Sequence, residues 1–104
     1  MALTVTTNNA QYQFDGPHTN TGNLNAHSGV YVITTKGPTG EHKVLDVGES
    51  HNVWHRVSNH DRKGEWTRHM QDGLFASVYY CDERARMLLE SELRLFFDPP
   101  CGER

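Results

Sequence analysis

Two cysteines in 104 residues, Cys81 and Cys101, are too few for a disulfide scaffold. The opening stretch MALTVTTNNAQYQFDG has neither a basic n-region nor an apolar h-region. A cytoplasmic protein with both thiols reduced is therefore expected. No run approaches the roughly 18 apolar residues of a membrane span, so no membrane partner is expected either. Positive charge is also scarce: 10 Lys and Arg stand against 13 Asp and Glu, for a formal charge of −3. That excludes a global field drawing the chain onto nucleic acid, and any anion site must be local. There is no internal repeat and no low-complexity segment. What remains is 36% hydrophobic residues, enough for one small core, and seven histidines. One compact domain is the expectation.

Residues 1–27 are rich in Asn, Thr, Gln and Gly with isolated apolar anchors (Leu3, Val5, Tyr12, Phe14, Leu24), which predicts an extended N-terminal arm. The domain proper is expected over 28–104. GVYVITT (29–35) and KVLDV (43–47) flank a Gly/Pro-containing turn and predict a β-hairpin. Apolar side chains at both parities of the first strand mean that both faces of its sheet are covered. Ser50 is the expected N-cap of a helix over 51–60 with Val53, Trp54 and Val57 buried. A short helix over 65–72 and a third strand over 74–81 follow. Asp82 is placed to cap a helix over 83–97, with Ala85, Leu88, Leu89, Leu93 and Phe96 at helical spacing and Asp98-Pro99-Pro100 stopping it. The fold expected is a small α/β domain with a three-stranded sheet, an N-terminal hairpin and flanking helices.

Four features stand out in that order. Gly29-Val30-Tyr31 opens the first strand, Asp46-Val47-Gly48 ends the second, Arg56 and His60 lie one turn apart after it, and Glu90 sits on the last helix. Over about residues 29–102 this arrangement resembles the GIY-YIG nuclease superfamily. The resemblance implies that Tyr31 helps activate the attacking water and that Arg56 clamps phosphate. It implies further that His60 fills a position often held by His or Tyr, that Gly29 and Gly48 are the motif glycines, and that Glu90 binds the metal. Pro99, nine residues after Glu90, matches the proline that follows the family's metal-binding helix. Glu92 competes with Glu90, because a helical wheel puts it nearer the apolar stripe; the proline spacing selects Glu90, leaving Glu92 to pair with an Arg.

The implied activity is endonucleolytic hydrolysis of DNA phosphodiester bonds with Mg²⁺ or Mn²⁺. That chemistry needs an activated water, a cation for the developing charge and a donor to the non-bridging oxygens. Tyr31 and His60 together suit the first task, Glu90 with its metal the second, and Arg56, a planar fork that stays charged, the third. Two positions depart from the pattern: Asp46 replaces the second motif's tyrosine, and Gly102 replaces an asparagine expected after Pro99. An ionised Asp46 within about 4 Å of a phosphate would cost roughly 1–4 kcal/mol. The expectation is that Asp46 instead serves the metal site as a second carboxylate or orients the water. The alternative is a degenerate domain that binds nucleic acid or a protein partner without cutting.

The segment 51–69 is the one locally basic stretch, and Arg62, Lys63 and Arg68 are its candidate DNA-backbone contacts. His51 and His55, with Cys81 or Cys101, form a weak zinc pattern. No DNA-binding domain is visible beside this one, so a protein partner supplying target specificity is a further expectation.

Overall fold

The computed structural model describes residues 2–102. Five strands, β1 (Ala2–Thr6), β2 (Gln11–His18), β3 (Gly29–Lys36), β4 (His42–Ser50) and β5 (Asp72–Tyr80), form one sheet in the order β1-β2-β5-β3-β4. Every pairing is antiparallel. The helices are α1 (Val53–Ser58), α2 (Lys63–His69) and α3 (Glu83–Phe97).

The β3–β4 hairpin forms where the β-branched runs predict it, and β5 pairs with β3, which is thereby an interior strand, buried along almost its whole length. Its alternating side chains feed two cores. Tyr31 and Ile33 pack with Val53, Val57 and Trp66 on the α1/α2 face. Val30 and Val32 pack with Val47, Leu89 and Leu93 on the α3 face. Helices thus cover both faces, as the double parity requires.

The sheet has five strands where three are expected. The N-terminal segment is extended, but it is not a separate arm: Leu3 and Val5 in β1 pair with Phe14 and Tyr12 in β2, and β2 pairs with β5. Phe14 is completely buried. Helix α1 is shorter than expected, because Asn52 rather than Ser50 caps it, accepting from His55 N at 3.0 Å. The helix also ends before His60, which belongs to the connection that follows. Trp54, expected inside, is 42% exposed.

Helix α3 has the expected bounds, with Asp82 Oδ1 accepting from Ala85 N at 2.9 Å. Such a cap is worth about 1 kcal/mol. Its inward stripe is rotated from the expected one. Leu89 and Leu93 are buried, while Leu88 and Phe96 face solvent at 66% and 44% exposure. Arg86 and Arg94 occupy the sheet-facing flank instead, paired with Glu49 and Asp46 at the β4 edge.

One irregularity shapes the site. Ile33 pairs with Asp46 but Thr34 pairs with Val44, so Leu45 is an extra residue in β4. This bulge lets two consecutive side chains turn toward the α1/α2 face. Leu45 joins the core there, and Asp46 meets α2.

Candidate functional site

Tyr31 and Gly48 are directly opposite each other in the hairpin. The missing Cβ of Gly48 makes room for the phenol, since a Cβ there would lie 2.2 Å from both Cζ and Oη of Tyr31. The ring is 1% exposed, and its hydroxyl lies 2.7 Å from His60 Nε2. Gly29 has a packing reason of its own: a Cβ there would stand 2.7 Å from the Tyr79 carbonyl oxygen on β5.

The other nitrogen of His60, Nδ1, accepts the backbone N–H of Arg62 at 3.0 Å. An acceptor nitrogen carries a lone pair, so in the neutral ring the proton is on Nε2. His60 is then the donor to Tyr31 Oη, and the phenolic O–H is left to donate elsewhere. This corrects the expectation that His60 shares the task of base in the resting site. Burial, helped by Arg56 and Arg62, pushes the His60 pKa down to about 4. Burial raises the Tyr31 pKa to about 12, against an opposing pull from Arg56. At neutral pH both groups are uncharged.

Arg56 lies close enough to act on the Tyr31 hydroxyl. Its guanidinium is half-exposed and pairs at 3.1 Å with Asp61, whose side chain is 73% exposed. Tyr31, His60, Gly48 and Arg56 therefore form one cluster.

Asp46 has another part. Its side chain is fully buried, with Oδ2 accepting from Arg62 Nε and Trp66 Nε1, each at 2.8 Å. Oδ1 accepts from an Arg94 Nη and from Val47 N. Both oxygens are filled by protein donors, so Asp46 is neither a second metal carboxylate nor a group facing phosphate. Sequence reasoning missed Arg94 and Trp66, whose partner is 48 and 20 residues away. The two departures from the family pattern also meet in space. Gly102 has φ of +100°, and a Cβ there would be 2.9 Å from Asp46 Oδ1 and 2.6 Å from Arg94. A side chain at 102 would collide with the ion pair that Asp46 makes.

Glu90 Oε2 accepts from Arg94 Nε at 3.2 Å. Arg86, one turn before, binds Glu49, and Arg94, one turn after, binds the Val47 carbonyl. Residues four apart share a helix face. Glu90 therefore shares the flank of α3 from which Arg86 and Arg94 reach β4. An Arg partner is expected for Glu92, but among the described residues it pairs with none; it accepts from Thr7 Oγ1 at 2.6 Å and Tyr12 Oη at 3.1 Å, tying β2 and the β1–β2 turn to α3.

The candidate DNA contacts divide. Arg62 is engaged with Asp46, Lys63 Nζ donates to the Ser58 carbonyl at 2.6 Å, and Arg68 is exposed. His51, His55 and His69 are exposed beside them. Cys81 packs on the α3 face and Cys101 on the α1/α2 face, so they do not meet. Among the described residues no group of three or more His, Cys, Asp or Glu side chains converges to hold a metal. None of the described helices is long and apolar enough to cross a membrane. Compared with protein-family models, curated proteins and solved structures, the chain gives no match.

Proposed function

We propose that this chain is a GIY-YIG-like endonuclease domain that hydrolyses DNA phosphodiester bonds in the cytoplasm with Mg²⁺ or Mn²⁺. The observation that carries the reading is the Tyr31 hydroxyl, held by His60 over Gly48 with Arg56 beside it. The Arg56–Asp61 pair is exposed, and such pairs are worth about 0–1 kcal/mol, so a phosphate displaces Asp61 at little cost. Arg56 then offers two parallel N–H donors to the non-bridging oxygens.

With a pKa of about 12, Tyr31 is not a resting tyrosinate. It works as a shuttle, giving its hydroxyl proton to a phosphate oxygen and taking one from the attacking water. The His60 Nε2–H holds the phenolic oxygen throughout and offsets negative charge that grows on it. Mg²⁺ commonly keeps several waters and takes only one or two carboxylates. Glu90, with a side chain 24% exposed and an ion pair to Arg94, fits that demand. When bound there, the cation supplies neutralisation of charge on the phosphate.

DNA would lie over α1 and α2, using Arg68, Lys63 and the exposed histidines. With Arg62 committed to Asp46, this surface favours weak, salt-sensitive contact, and a protein partner supplying target choice fits that. The test is incubation of the full chain with supercoiled and branched DNA in Mg²⁺, Mn²⁺ or EDTA. Metal-dependent nicking that is lost in Arg56→Ala and Glu90→Gln but kept in Glu92→Gln is the expected result. Salt-sensitive binding with no nicking would overturn cleavage and select a domain that binds without cutting.

A further inference from the structure

His60 is gripped from every side. Tyr31 of β3 meets its Nε2, and the Arg62 backbone N–H meets its Nδ1. Asp61 Oδ1 stands 3.5 Å from Nδ1, and Arg56 and Asp46 act on the ring through space. The Trp66 indole packs against the imidazole with ring centroids 4.6 Å apart. Two of these holders, Arg62 and Trp66, are themselves tied to one carboxylate, the buried Oδ2 of Asp46. Both ties are 2.8 Å long, and the β4 bulge aims Asp46 at them.

We infer that Asp46 is a positioning residue for Tyr31, acting through Arg62 and Trp66 to lock His60 in the tautomer whose proton sits on Nε2. Were Arg62 released, its backbone N–H would drift from Nδ1. Asp61, already near that nitrogen, would then favour the other tautomer, with the proton on Nδ1 and donated to the carboxylate. Nε2 would become an acceptor and draw the phenolic proton inward. Asp46 thereby decides whether Tyr31 meets a ligand as a hydrogen-bond donor or only as an acceptor. The catalytic meaning of that choice rests on the hydrolase reading, whereas the lock itself needs no substrate.

The experiment is ¹⁵N imidazole NMR of the full chain at pH 7, which reads the protonation of each ring nitrogen. The wild type should show His60 as a single Nε2–H tautomer. Asp46→Asn keeps the shape and drops the charge. Arg62→Ala removes the guanidinium and keeps the backbone N–H, and Trp66→Phe keeps the ring and removes the indole donor. A tautomer ratio moved about tenfold toward Nδ1–H, ~1.4 kcal/mol, is expected in Asp46→Asn and Arg62→Ala, with a smaller move in Trp66→Phe. If Asp46→Asn does not fold, Arg62→Ala and Trp66→Phe decide alone. A wild-type Nδ1–H ring, or an unmoved ratio in the folded variants, overturns the inference. Absence of nicking alongside a lock that behaves as expected overturns the nuclease reading and leaves this one standing.

Discussion

Gly48→Ala is the sharpest available probe of the site. A methyl group at 48 would sit 2.2 Å from Tyr31 Cζ and Oη, whereas carbon atoms rest about 3.5–4 Å apart. The phenol must retreat by roughly 1.3 Å or more. It has nowhere to go without disturbing Val53 and Val57, both fully packed in the same core. Overpacking of this kind costs about 1–3 kcal/mol. Losing the 2.7 Å bond to His60 strands a buried donor, for a further ~1–3 kcal/mol. The expected loss is therefore about 2–6 kcal/mol, or roughly 10 °C or more in Tm for a domain of this size. Urea unfolding followed by circular dichroism measures it, and the cycle with Tyr31→Phe isolates its cause. In the phenylalanine background the hydroxyl contact and the hydrogen bond are already absent, so Gly48→Ala should cost about 1–3 kcal/mol less there. Additivity within ~0.5 kcal/mol would refute the reasoning. So would a stabilised Gly48→Ala, the usual result of replacing a strand glycine where there is room.

Two further predictions concern buried polar groups. His60 has a folded pKa of about 4 against an unfolded value near 6.5, so the unfolded chain binds the extra proton. Its contribution to stability is complete above pH ~6.5 and falls as pH drops toward ~4, by about 3 kcal/mol in all. His60→Asn should flatten the unfolding free energy across that window, and an unchanged slope would locate the pH dependence elsewhere. Ser77 Oγ is buried with no hydrogen-bond partner among the described residues. Ser77→Ala should raise stability by about 1 kcal/mol in chemical denaturation, and a loss of that size would mean the hydroxyl is satisfied in solution.

The hairpin, β5 and α3 are legible in the sequence because each has continuous local patterning. β1 and β2 are harder to read. Leu3, Val5, Tyr12 and Phe14 do alternate, but Asn, Gln and Thr lie between them and each strand offers only two such anchors. Their stability comes from pairing with each other and with β5, a partner some 60 residues away that no local window contains. Helix periodicity fixed that α3 has an apolar stripe, not which flank of it meets the sheet. Arg86 and Arg94 took that flank because Glu49 and Asp46 wait there, and Leu88 and Phe96 were turned outward. In the site, the family resemblance pointed to Tyr31, Gly48, Arg56 and His60, which the fold gathers. Asp46 is expected to join the metal site or orient the water because nothing local announces Arg62, Trp66 and Arg94, and the direction of the Tyr31–His60 hydrogen bond is not legible in the sequence because tautomer choice depends on one backbone N–H.

The chain's last described stretch also bears on how these molecules keep apart. β4 lies at a border of the sheet, and a border strand's unpaired carbonyls invite another chain to add a strand. Here the Cys101 N–H occupies the Leu45 carbonyl at 3.0 Å and Arg94 occupies that of Val47, one on each side of Asp46. The bulge at Leu45 further spoils the flat register a docking strand would need. The contacts that anchor the site's carboxylate thus also blunt the border beside it, so loosening Arg94 or the turn after Pro99 would trade a local fault for self-association.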